Sequence, residues 1–249
     1  MFRYSTIERL AKKIYRVFFP VPKSPWTIWP VDDICRVNLV PPKDLQRFFS
    51  NCLSLLQSLK WNTIGDYLEF GVFNWSSLAS MYHAVQESNV CSMRFFWLDA
   101  FEGLPPESEW EDDGVWKKWF YTCSFDRMQE CLKRKNIDSD SIIWIKWWYK
   151  DTLNDSTIKK FNIFNPGIVF IDCDTYSSSK TVLDFIAPLV NTFTIVCLDD
   201  WKLNDLDIKW MGEYRAFNEF LEQNKHIYAK EILSYNRKSK SFLLSVKSR

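Results

Sequence analysis

Short apolar runs rich in β-branched and aromatic residues recur along the chain, and each runs into an acid. DYLEFG leads through Glu69 to Gly71, RFFWLDAF to Asp99, IIWIKWWYKD to Asp151, GIVFIDCD to Asp172 and Asp174, and FTIVCLDD to Asp199 and Asp200. Unbroken apolar runs of this length, separated by polar stretches of helical period, predict parallel strands covered on both faces. Strands are expected at about 66–71, 94–100, 142–147, 167–172 and 193–199, and helices at about 43–59, 75–87, 124–135, 178–190 and 213–223. HIYAKEILSY and SFLLSV, on either side of the polar turn NRKSK, predict an antiparallel hairpin at the sheet edge. Five alternating units closed by a hairpin predict an α/β, doubly wound sheet. In such a sheet ligands bind beyond the carboxyl ends of the strands, so the acids predict a carboxylate-rimmed cleft.

Two segments fall outside this alternation. Residues 1–42 combine a basic amphipathic stretch, MFRYSTIERLAKKIYRVFF, with a connector holding Pro20, Pro22, Pro25, Pro30, Pro41 and Pro42. The stretch has the pattern of a helix that docks on the domain, on a second copy in a homodimer, or peripherally on an anionic membrane. It lacks the apolar core and cleavage site of a secretory signal. The second segment, from about Glu107 to Phe120, mixes acids with Trp110, Trp116 and Trp119 without a period. It predicts a lid that is mobile without ligand.

Composition narrows the partners. The 249 residues carry 32 Lys and Arg against 31 Asp and Glu, so no broad basic face is implied and nucleic acid is an unsuitable partner. Seven cysteines without CxxC or paired spacing, Cys173 and Cys197 lying inside predicted strands, fit a reducing, cytoplasmic compartment. No apolar run approaches the roughly 18–20 residues needed to cross a bilayer.

Taken singly the motifs are weak. EFGVFNWSS has one glycine where a dinucleotide turn has two or three. Asp99, at the end of the second strand, stands where an acid commonly accepts ribose hydroxyls. Four carboxylates, Asp172, Asp174, Asp199 and Asp200, at two neighbouring strand ends would repel one another unless a cation neutralised them, and an all-oxygen set suits a hard divalent ion such as Mg2+. His83 and His226 fall on a helix and near the hairpin, which supports neither a zinc site nor a Ser-His-Asp triad.

The succession EFGVFNWSS, LDAFEGLP, WWYKDTL, FIDCDTYSSSKTVLDFIAPL, IVCLDDW and GEYRAFNEFL, over roughly residues 65–223, resembles the macrocin O-methyltransferase family. These are S-adenosylmethionine-dependent enzymes that methylate hydroxyls of sugars and related natural products. The resemblance implies a class I methyltransferase fold over residues 43–249, a Rossmann-like three-layer sandwich whose mostly parallel seven-stranded sheet ends in a hairpin. It implies that Glu69 and Gly71 lie under the methionine part of the cofactor, with Ser76 or Ser77 near its carboxylate. Asp99 would take the ribose and Phe101 the adenine. Asp172, also bordering the cofactor, would hold Mg2+ with Asp199 and Asp200, and Asp174 would be the general base toward a small hydroxyl-bearing acceptor such as a glycoside. Departures from the family pattern fall at Asn191 and Thr192, in place of Gly-Gly, and at Asn74 or Trp75, in place of a second glycine. Asp172-Cys173-Asp174 alone is also compatible with a DxD glycosyltransferase, and the altered glycines with a non-catalytic interaction module.

Overall fold

The computed structural model describes residues 40–60, 63–73, 75–90, 92–118 and 121–246. The expected N-terminal amphipathic helix, and all but the end of the connector, lie outside the described residues. In chain order the elements are α1 (Pro42–Leu59), β1 (Asp66–Phe70), α2 (Ser76–Glu87), β2 (Phe95–Asp99), α3 (Phe125–Arg134), β3 (Ile142–Lys146), α4 (Tyr149–Thr152), α5 (Asp155–Phe161), β4 (Pro166–Ile171), α6 (Tyr176–Ile186), β5 (Phe193–Leu198), α7 (Gly212–Gln223), β6 (Ile227–Ile232) and β7 (Lys240–Val246). The strands form one sheet in the order β3-β2-β1-β4-β5-β7-β6, parallel except for β7, which runs antiparallel to both β5 and β6. None of the described helices is long and apolar enough to cross a membrane.

Alternation along each strand builds two apolar layers. Tyr67, Trp97, Ile168, Phe170 and Cys197 join the layer formed with α1, α2 and α3. Leu68, Phe70, Leu98, Val169, Ile171 and Leu198 join the layer beneath α5, α6 and α7. Because both faces are covered, central β1 and β4 are buried at every position, which is why they read as unbroken runs. Glu69 shares the face of Tyr67, so a carboxylate is carried into an apolar layer, where it accepts from Tyr67 Oη at 2.7 Å.

Register places the functional rim. Phe70 pairs with Leu98 and with Ile171, and Ile171 pairs with Leu198. The next residue on each strand, Gly71, Asp99, Asp172 and Asp199, therefore falls in one row at the carboxyl edge. Gly71 has φ +98°, and a Cβ there would lie 1.8 Å from the carbonyl oxygen of Asp172. A side chain fits neither the dihedral nor the space. Gly71→Ala is expected to cost at least about 3 kcal/mol, read as a lowered denaturation midpoint. A midpoint equal to wild type would contradict that close approach.

The third strand ends where expected, but the acid of its run does not stand at that end. IIWIKWWYKD does not run to Asp151: β3 stops at Lys146, Trp147 turns at φ +124°, and Asp151 lies inside the one-turn helix α4. The segment expected to be a mobile lid is docked in its described part. Short turns at Pro106–Trp110 and Asp112–Gly114 lead into buried Trp116, which packs with Leu104 and Leu206.

Candidate active site

A cavity of about 580 Å³ opens along the carboxyl edge of the sheet. Gly71, Ser76, Ser77 and Asp99 line one end, and Asp172, Asp174, Asp199, Asp200 and Tyr235 the other. Gly103 to Glu107, Tyr121 and Trp148 also line it.

At the first end, Asp99 accepts from Val72 N at 2.7 Å through Oδ2 and from Phe101 N through Oδ1. Each oxygen keeps a lone pair, and the partly exposed carboxylate is fixed in orientation. Burial raises its pKa to about 6, against the lowering effect of those two amides. Glu69 lies beneath the floor and is not part of the cavity wall. Its Oε1 accepts from Ser77 Oγ, and burial raises its pKa to about 7. Glu69 therefore reaches the cavity through Ser77. The helix α2 begins after Trp75, which has φ 39° and offers no side-chain cap. Among the described residues no side chain caps the amides of its first turn, an arrangement suited to a carboxylate. Phe101, expected beside an adenine, does not line the cavity either. Its backbone is left-handed at φ 59°, and its ring packs against Phe125, with centroids 5.3 Å apart, and against Trp144. Its neighbours Ala100 and Glu102 line the wall instead.

At the second end, one oxygen from each of Asp172, Asp199 and Asp200 lies within 4.8 Å of the others. Burial, then the charges of Asp199 and Asp200, hold the Asp172 pKa well above the carboxylate range. Burial and the charges of Asp174 and Asp199 do the same to Asp200. Asp199 is raised by burial but less confined, because Tyr235 Oη donates to its Oδ1. Asp174 sits in the left-handed region at φ 66°, tolerable for Asp. It is raised by burial and by Asp172, and hydrogen-bonds Asp200. A trio of partly buried carboxylates with no nitrogen or sulfur donor fits a hard divalent cation, which would remove the mutual repulsion.

Several participants were not assigned from the sequence. Tyr235 holds Asp199 across 36 residues of chain. Glu213, fully buried, accepts the Asp200 amide at 2.9 Å through Oε2. Tyr121 lines the cavity close enough to Asp174 and Asp200 that their charges raise its pKa, after burial. The only sequence signal for Tyr235 was topological: a hairpin paired to β5 must bring its turn beside the end of β5.

A mostly parallel seven-stranded sheet with this order, and a ligand cavity at its carboxyl edge, defines a class I methyltransferase fold. The model of the macrocin-O-methyltransferase (TylF) family matches residues 46–233, and the chain belongs to that family. Among curated proteins it is 21% identical over 151 residues to 8-demethyl-8-(2,3-dimethoxy-alpha-L-rhamnosyl)-tetracenomycin-C 4'-O-methyltransferase of Streptomyces olivaceus, a match covering 56% of this chain and 54% of that protein. The chain thus spans about half the length of the curated relative it matches. In structure it is similar to the O-methyltransferase NovP, with TM-score 0.64 and 16% identity over 83% of this chain and 80% of that one. It is also similar to CalS11, a calicheamicin methyltransferase, with TM-score 0.62 and 16% identity over 97% and 94%. An O-methyltransferase from Bacillus cereus in complex with SAH gives TM-score 0.54 and 15% identity over 95% and 97%. At these identities the structural likeness is one of fold.

Proposed function

We propose that this protein transfers a methyl group from S-adenosylmethionine to a hydroxyl of a sugar or sugar-bearing natural product, with a divalent ion, Mg2+ by chemistry, held by Asp172, Asp199 and Asp200. The observation that carries this reading is the shared cavity, with a fixed ribose-type acid and uncapped helix amides at one end and a four-carboxylate cluster at the other. When bound, the cofactor would supply an electrophilic methyl and the ion would lower the pKa of an acceptor hydroxyl.

The chain's own residues do the rest. Asp99 and the α2 amides orient the donor, since transfer needs the attacking oxygen in line with the bond that breaks. Asp174 takes the acceptor proton. Burial of its carboxylate raises its basicity, the direction that suits that task. Ser177, Ser178 and Thr181 present hydroxyls along one face of α6, as a polyhydroxylated acceptor would require. The Asp172-Cys173-Asp174 triplet alone would also suit a glycosyltransferase. The family membership, Asp99 and the second acid pair favour methyl transfer.

Calorimetry with S-adenosylhomocysteine and with UDP separates the two readings. S-adenosylhomocysteine should bind and UDP should not; the reverse would overturn the proposal. Asp99→Ala should weaken S-adenosylhomocysteine binding by about 1–3 kcal/mol, because buried ribose hydroxyls lose their acceptor. Unchanged affinity in that variant would remove Asp99 from the ribose. A panel of glycosides with cofactor and Mg2+ then identifies the acceptor.

A further inference from the structure

Asp112 lies a few residues beyond the Gly103–Glu107 stretch of the cavity wall, and its carboxylate, on a residue 7% exposed, accepts three hydrogen bonds, two of them from distant parts of the chain. Oδ1 accepts from Gly212 N at 2.8 Å; Oδ2 accepts from Tyr176 N at 2.9 Å and from Trp116 Nε1 at 3.2 Å. Gly212 and Tyr176 are the first residues of α7 and α6. Their amides are among those a helix cannot satisfy internally, and two helix amino ends stabilise a buried carboxylate without a cation. Neighbouring Asp113 takes the lysine, pairing with Lys209 at 3.1 Å, and Glu111 accepts from Ser177 N at 2.9 Å.

Each tethered helix start is joined to one acid pair. α6 follows Asp172 and Asp174 through a tight turn in which Thr175 N donates to Cys173 O at 2.7 Å. α7 begins with Gly212 and Glu213, and Glu213 Oε2 accepts from the Asp200 amide. The other oxygen, Glu213 Oε1, is buried without a hydrogen-bond partner among the described residues, so the Asp200 contact is the only one holding that side chain by hydrogen bonding. A short run of bonds therefore connects Asp174 through Tyr176, Asp112, Gly212 and Glu213 to Asp200. In effect one carboxylate bridges the ends of β4 and β5 from above.

We propose that Asp112 is a positioning residue that sets the spacing between the acids of β4 and those of β5, an inference that rests on reading those acids as the metal and acceptor site. An amide in its place could accept one of the two backbone N–H groups but would turn an NH2 toward the other, releasing one helix start. The cofactor end hangs on β1, β2 and α2, outside this bridge.

The test is calorimetry of wild type and Asp112→Asn with Mn2+ and, separately, with S-adenosylhomocysteine. The variant should bind Mn2+ about 10-fold or more weakly, the usual effect of losing a group that orients metal ligands. Its affinity for S-adenosylhomocysteine should stay within about twofold of wild type, because the cofactor end is held separately. A Mn2+ affinity equal to wild type, or parallel loss of both ligands, would overturn the inference while the proposed function stands. Wild type that binds neither ligand would overturn both. Should Asp112→Asn fail to fold, hydrogen exchange on the unaltered protein reads the same link: the Tyr176 and Gly212 amides should exchange at a common rate, since one carboxylate protects both. Rates differing by more than about 10-fold would overturn it.

Discussion

Asp174→Asn is expected to lower turnover by about 10²–10⁴-fold, the range for loss of a general base, while leaving affinity for S-adenosylhomocysteine and for Mn2+ close to wild type. Asn keeps the shape of the side chain and its hydrogen bond with Asp200 but cannot take a proton. It is also well tolerated in the left-handed backbone that Asp174 adopts at φ 66°, so the fold should survive the change. The proposed metal ligands are Asp172, Asp199 and Asp200, and none of these is altered. Since burial and Asp172 raise the Asp174 pKa, wild-type turnover at saturating metal should climb as pH rises through that raised value, and the variant should lose that part of the climb, keeping only what metal binding contributes. Turnover within fivefold of wild type, with the pH profile retained, would move the base elsewhere. Tyr121, at the same end of the cavity, would be the next residue to test.

The strands were legible because their cause is local. A strand covered on both faces must be apolar at every position, and β1 and β4 show that in their sequences as in their burial. The clustering of the three carboxylates was legible for a related reason: each acid directly follows a strand, or comes one residue later, so placing the strand placed the acid. The same logic failed at Asp151. The run IIWIKWWYKD is apolar for two unrelated reasons: Ile142 to Ile145 fill the sheet, whereas Trp148 and Tyr149 line the cavity, and Tyr149 Oη donates to Leu98 O at 3.1 Å. Periodicity cannot separate these uses. Glu69 and Phe101 belong beside the right motifs but stand one layer back from the cavity. In Glu69 the strand alternation turns the side chain inward; at Phe101 a left-handed backbone does so. Neither Asp112 nor Tyr235 was legible as a site residue, because their contacts join positions 100 and 36 residues apart, and nothing local in the sequence encodes that proximity. The contacts that dock this segment in its described part were illegible for the same reason. An acidic, aromatic segment without period reads as a loose loop until the two helix amino ends that its acids cap are brought beside it.

A divalent ion should stabilise the protein more at pH 8 than at pH 5. The sign follows from the direction of the shifts. Burial and mutual repulsion raise Asp172 and Asp200 well above the value of about 3.9 that an unfolded aspartate has. Without a cation, the folded protein holds protons there that the unfolded chain has released. The stability this provides is complete below about pH 4 and is lost as pH rises through the raised folded values. Asp99, raised to about 6, and Glu69, raised to about 7, add to the same loss between about pH 4 and 7. Cation binding at the trio requires the carboxylates in their ionised form, so it competes with protons more strongly at pH 5 than at pH 8. At 100 times its Kd a ligand of the folded state adds about 2.7 kcal/mol. For a domain of this size that is a rise in Tm of about 5–10 °C. Scans with saturating Mg2+ at pH 8 should approach this rise, and those at pH 5 should show only a small part of it. Asp199→Asn should shrink the rise at pH 8, since it removes one of three ligands and leaves Asp172 and Asp200 in place. An equal rise at both pH values, or a full rise in Asp199→Asn, would place the ion outside the trio and leave the cofactor end of the cavity untouched by the result.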